Sequence, residues 1–211
     1  MNNLEVYLGT LAIAYMVPGP DLVLVLQVSS SLGRAQAMAV AVGLALARGA
    51  HVALAAAGLA AVLATSVLAF DLVRWIGVAY LIWLGLRIAR SPSWIPGTEP
   101  AAGGAPSWSY RQSFMRGFVT NISNPKALLF CSVLLPQFIL LDAGPVGVQF
   151  LVLGLILVAM GFIFDAVYGA LGLALGRWMR GHPAVQVAQR LLFASVLIGF
   201  GIRLALMSRL A

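Results

Sequence analysis

The chain has 211 residues, of which 62% are hydrophobic and 9% charged, with a net charge of +7 and a mean hydropathy of +0.99. Soluble domains carry about 25% charged residues, so this composition excludes an ordinary water-soluble enzyme and implies a chain solvated mainly by lipid. The positive charge is not a nucleic-acid surface, because the arginines stand at the ends of apolar runs and not in a stripe interleaved with aromatics.

Six stretches come near the roughly 20 apolar residues that a bilayer-crossing helix needs: 4–26, 38–68, 72–88, 114–138, 146–175 and 191–207. They occupy nearly the whole chain and leave no room for a separate catalytic domain. No basic segment precedes the first run and Asp21 interrupts it, so this span is expected to be retained and not cleaved as a signal peptide.

Span one contains Pro18-Gly19-Pro20-Asp21. Two prolines remove two backbone donors and push the residues before them toward extended geometry. Two half-helices are therefore expected, and one starting at Pro20 would present free amides and a partial positive charge. Span two carries Arg48 and His51, spaced i, i+3 and so on one face. After span three comes a connection over 91–109, rich in Pro, Gly, Ala and Ser, whose Trp94 and Trp108 read as interfacial anchors.

Span four is interrupted by Ser123-Asn124-Pro125-Lys126, where Asn124 is suited to cap a new helix start and Pro125 to its first position. The lone cysteine, Cys131, reads as a small core residue. Span five carries Asp165 and Tyr168, again at i, i+3, and five glycines (Gly154, Gly161, Gly169, Gly172, Gly176) that permit close helix contact, including contact in a homodimer. His182, in a basic loop beside Pro183, reads as solvated surface.

The halves correspond in order. Pro20-Asp21 aligns with Pro125-Lys126, the Arg48/His51 pair with Asp165/Tyr168, and Gly85-Leu86-Arg87-Ile88-Ala89 with Gly201-Ile202-Arg203-Leu204-Ala205. A repeat of three spans crosses an odd number of times, so its second copy runs upside down, as in many secondary transporters. The expected fold is an all-α membrane protein of six transmembrane helices in two inverted three-helix repeats, with helices 1 and 4 broken. It forms a single domain over 1–211: repeat one 1–90, a cytoplasmic linker 91–112, and repeat two 113–211. Eight arginines (34, 87, 90, 111, 116, 177, 180, 190) against three (74, 203, 209) put the linker in the cytoplasm and both termini outside.

An ionised group at the bilayer centre costs at least about 2.5–3.5 kcal/mol, so buried charges call for a function or a partner. Asp21, Arg48, His51, Lys126 and Asp165 are the candidates. Pairing of Asp21 with Lys126, or of Arg48 with Asp165, is the purely structural alternative. Two carboxylates, two or three cations and free helix ends match a zwitterion. Lys126, Arg48 or the amides after Pro20 and Pro125 could meet a carboxylate, and Asp21 or Asp165 an ammonium. Asp21, Asp165 and His51 are the candidates for carrying a proton.

Pro18-Gly19-Pro20-Asp21 in span one, Gly43, Ala79-Tyr80-Leu81 with Leu84-Gly85, Gly117-Phe118, Asn124-Pro125-Lys126-Ala127 and Pro136-Gln137-Phe138 together resemble the LysE/RhtB family of bacterial amino-acid exporters. The resemblance runs from Leu8 to about Arg203. It implies a six-span inner-membrane protein that moves amino acids or small derivatives outward, in exchange for protons, without a cofactor or a resident metal. The family positions carried over are Pro18, Gly19, Pro20, Asp21, Asn124, Pro125 and Lys126, with Asp165 and Tyr168 as a polar pair of the fifth span. Arg48 departs from the small or apolar residue expected there; it either tunes substrate choice or pairs with Asp165. The rival readings are a divalent metal-ion exporter of related fold, which needs clustered His, Cys or carboxylate ligands, and a non-transporting scaffold. No Gly-x-Ser-x-Gly or His-Glu-x-x-His string supports an enzyme.

Overall fold

The computed structural model describes residues 4–17, 19–65, 67–90, 108–140 and 143–206. Among these the chain is helical: α1 Leu4–Met16, α2 Pro20–Ser31, α3 Arg34–Thr65, α4 Val67–Arg90, α5 Tyr110–Ile122, α6 Pro125–Leu129, α7 Val146–Gly181 and α8 Pro183–Leu206. Pro18 and most of the 91–112 linker lie outside the described residues, Trp94 included.

Both expected breaks are present. The axes of α1 and α2 differ by 53°, and α5 differs by 64° from the segment that follows it. The first break opens where Gly19 is extended (φ −151°, ψ 179°) and Pro20 begins the next helix, so the helical ladder restarts without the donors that proline lacks. At the second, the Asn124 side chain accepts from the Lys126 amide and Pro125 sits in the first turn. Beyond α6 the chain widens into a π turn, Phe130–Leu134, and tightens into a 3₁₀ turn, Leu135–Phe138. Pro136 lies in that tight turn, where an α-helix could not accommodate it.

Elsewhere local chemistry sets the boundaries. Gly33, with φ +92°, turns the chain between α2 and α3 in a conformation that a side chain would resist. Ser109 and Gln112 form a reciprocal capping box at the start of α5.

Among the described residues three helical segments are long and apolar enough to cross a bilayer, Arg34–Gly58, Val146–Gly172 and Pro183–Leu206, or up to five if each bent pair is one span. The chain is thus a multi-pass membrane protein. Helix α4, the expected third span, is not among them. The outside of the bundle suits lipid: Leu54, Leu72, Leu151 and Ile163 each expose 60% or more of their surface.

The core gathers both broken segments with α4, α7 and α8, through Tyr7, Leu11, Leu81, Leu134, Phe150 and Phe193. Two contacts need glycine. A Cβ on Gly43 of α3 would run into the Phe114 carbonyl of α5, and one on Gly117 of α5 into the Val40 carbonyl of α3; the two backbones touch. Helices α4 and α8 meet reciprocally: Gly85 faces Ala194 and Ile198, while Gly201 faces Val78 and Ile82. Residues 78, 82 and 85 stand at one constant offset from 194, 198 and 201. The glycines of α7 are also used within the chain: Gly154 faces Val52 of α3, Gly161 faces Tyr15 and Arg48, and Gly172 faces Ser29 of α2. Gly154, Gly161 and Gly172 are thus occupied by contacts inside the chain.

Candidate functional site

The two breaks face one another across a small cavity. Gly19, Asp21, Asn124 and Lys126, from the broken segments, line it together with Arg48 of α3 and Asp165 and Tyr168 of α7. The space enclosed is about 50 Å³. That holds a few waters, each needing roughly 10–15 Å³ by this measure, and is smaller than an amino acid. Asn121 and Tyr15 also line it, and the rest of the wall is apolar, with Leu11, Leu22, Phe130, Cys131 and Leu157.

Asp21 lies in the first turn of α2, where the helix dipole favours a carboxylate. Its Oδ2 accepts from Asn121 Nδ2 at 2.6 Å and from Arg48 Nη2 at 3.2 Å, and its Oδ1 accepts from Asn124 Nδ2 at 3.0 Å. Asn124 therefore does two things at once: its oxygen caps α6 and its amide nitrogen holds the carboxylate of the other break.

Arg48 is the centre of the charge cluster. Its Nη1 donates to Asp165 Oδ2 at 2.6 Å and its Nη2 to Asp21, so one guanidinium ties both carboxylates. Arg48 and Asp165 are each 3% exposed, and the guanidinium also lies 5.2 Å from the centroid of the Tyr15 ring. At Gly161 a side chain would press on Arg48 Nη1 and the Tyr15 hydroxyl, so the glycine leaves room for both.

Lys126 does not pair with Asp21, contrary to one of the two pairings the sequence allowed. Its Nζ donates to the carbonyl oxygens of Ala14 at 2.8 Å and Val17 at 3.3 Å, and sits 4.6 Å from the Phe193 ring centroid. The reason is the first break. Pro18 has no N–H, so the Ala14 carbonyl four residues back lacks the donor a continuous helix would supply. The ammonium of one broken segment caps the other, and Lys126 forms no ion pair among the described residues.

Tyr168 donates to the Tyr15 carbonyl at 2.9 Å, again at the end of α1, and the Tyr15 hydroxyl donates to the Leu157 carbonyl at 2.9 Å. His51 stands apart from the cavity. Its Nε2 lies 3.1 Å from the Asn121 carbonyl oxygen, and its Nδ1 has no partner among the described residues. The sequence reading missed Asn121, which is fully buried and one of the Asp21 donors, and Tyr15. Asn121 lies in the last turn of α5, three positions before the Asn124 cap across the break, and its closeness to that break was the available signal.

Broken helices whose ends face a desolvated cluster of opposite charges define a class: a multi-pass membrane protein built around a polar site inside the bundle, which is the layout of a translocator and not of a membrane anchor. A family model described as LysE type translocator matches residues 12–208. The chain belongs to that family. Relatives include an uncharacterized membrane protein of Vibrio cholerae, 33% identical with 94% of each chain covered. A homoserine/homoserine lactone efflux protein of Salmonella typhimurium is 31% identical, again over 94% of each chain. A leucine efflux protein of Enterobacter is 29% identical, over 90% of this chain and 89% of its own. No solved structure matches.

Proposed function

We propose that this protein exports amino acids or small amino-acid derivatives across the bacterial inner membrane by secondary active transport, with protons moving the opposite way. Family membership and the efflux proteins among the relatives support the class of cargo. The observation that carries the reading is the arrangement at the breaks. Asp21 and Lys126 sit at two facing helix starts, and the hydrogen bonds that the Lys126 ammonium makes among the described residues go to backbone carbonyls that a carboxylate could replace. In this scheme the substrate carboxylate takes the Lys126 ammonium from Ala14 and Val17, and the substrate ammonium meets Asp21, whose side chain is 19% exposed. Gly19, Pro20, Asn124 and Pro125 shape the two helix starts, and Arg48 and Tyr168 position Asp21 and the α1 end. Asp21, Asp165 and His51 are the candidate proton carriers.

The same proposal includes six spans in two inverted repeats, 1–90 and 113–211, around a cytoplasmic linker at 91–112, with both termini periplasmic. The matched bends and the reciprocal Gly85 and Gly201 contacts support the repeat, and the arginine distribution supports the orientation. A divalent-metal exporter is less favoured, because the guanidinium of Arg48 occupies the place between Asp21 and Asp165 that a cation would take. A scaffold has no use for a buried cluster of this cost. The deciding experiment is export of a panel of radiolabelled amino acids from everted vesicles, with and without a proton gradient. Efflux that depends on the gradient supports the reading. No movement of any amino acid overturns it.

A further inference from the structure

We propose that Arg48 sets the charge of the cargo: by neutralising Asp21 and Asp165 together, it admits amino acids with uncharged side chains and excludes lysine and arginine. This rests on the exporter reading above and refines it. The ionisable groups around the cavity, taken in their charged forms, are two carboxylates (Asp21, Asp165) and two cations (Arg48, Lys126), so the site is balanced before anything enters. A zwitterion preserves the balance. A basic amino acid adds one positive charge in a desolvated space, where an unmatched charge is expensive.

No carboxylate remains to meet that extra charge. Asp165 is sealed behind the guanidinium at 2.6 Å, and Asp21 already takes the Asn121, Asn124 and Arg48 donors before it receives the substrate ammonium. Much of the rest of the wall, at Leu11, Leu22, Phe130 and Leu157, is hydrocarbon, which suits an aliphatic or weakly polar side chain. The seat of Arg48 is built for it: the Tyr15 ring flanks the guanidinium and Gly161 leaves it space.

The test compares efflux of leucine and lysine from proteoliposomes holding wild type, Arg48→Gln, and Arg48→Gln with Asp165→Asn. Wild type is expected to move leucine and to prefer it over lysine by roughly tenfold or more. Arg48→Gln leaves two carboxylates facing one ammonium, and the leucine-to-lysine ratio is expected to fall by roughly tenfold. The double variant restores the balance and is expected to restore the preference for leucine, which keeps the test alive where the single variant does not accumulate. Comparable movement of lysine and leucine by wild type, an unchanged ratio in Arg48→Gln, or lysine transport by the double variant overturns the role of Arg48. Those results leave the exporter reading standing. Failure of wild type to move either amino acid removes the exporter reading, and this refinement with it.

Discussion

Lys126 Nζ lies 2.8 Å from the carbonyl oxygen of Ala14, the group that Pro18 deprives of its helical donor. A side chain from one interrupted helix thus completes the hydrogen bonding of the other. Replacing Lys126 with Met keeps the length and apolar stem but leaves both carbonyls unpaired. Export is expected to fall to background while the protein still inserts, measured by efflux normalised to membrane-localised protein. Efflux at wild-type rate from Lys126→Met would remove Lys126 from the site.

Asp21→Asn retains the size of the side chain and an oxygen for Asn121 or Asn124, but not the charge that faces Arg48. Loss of a charge-assisted contact is worth about 1.5–3 kcal/mol, so substrate affinity is expected to drop by at least roughly tenfold with little change in expression. The check is a concentration series of efflux in loaded vesicles, in which the half-saturating concentration should rise.

Arg48→Ala strands the buried carboxylate of Asp165 without a counter-charge. Removing one partner of a buried pair costs about 3–5 kcal/mol, and this variant is expected to melt well below wild type in detergent. Replacing Arg48 and Asp165 together with leucine should recover much of the loss, since the buried Asp165 carboxylate is no longer stranded while Asp21 keeps its Asn121 and Asn124 donors. Thermal unfolding of the single and double variants separates charge stranding from lost volume.

Asn124→Ala removes the cap on the Lys126 amide and one donor to Asp21. A lost cap costs about 0.5–2 kcal/mol. Asn124→Ser should keep the cap and lose only the Asp21 contact. Comparing the two by thermal unfolding and by efflux assigns the stability to the cap and the transport defect to the carboxylate.

The proposed orientation places position 103 on the cytoplasmic side. A reporter that is active only in the cytoplasm, fused there, is expected to be active, and one that is active only in the periplasm should stay silent. The reverse pattern would turn the topology over.

Both breaks were legible in the sequence because proline lacks a donor wherever it stands, and no packing restores one. The buried charges were legible because they interrupt apolar runs. The partnerships were not. Arg48 reaches across 27 residues to Asp21 and 117 to Asp165, and nothing local to Arg48 states that it serves both. The destination of Lys126 was readable in principle, since Pro18 marks the Ala14 carbonyl as needing a donor, but Asp21 offered an equally plausible partner until the two breaks were placed in space. Asn121 escaped notice because an amide within a helix carries no charge to betray it. The expected third span is present as one helix, α4.

The contact of α3 with α5 at Gly43 and Gly117 limits how this molecule can move. With bare main chain pressed against bare main chain, neither rod can slip or roll on the other without forcing a carbonyl oxygen into a Cα. In the proposed export cycle, movement that preserves this contact falls at the two breaks, before Pro20 and at 123–124, where Lys126 and Asn124 make their bonds.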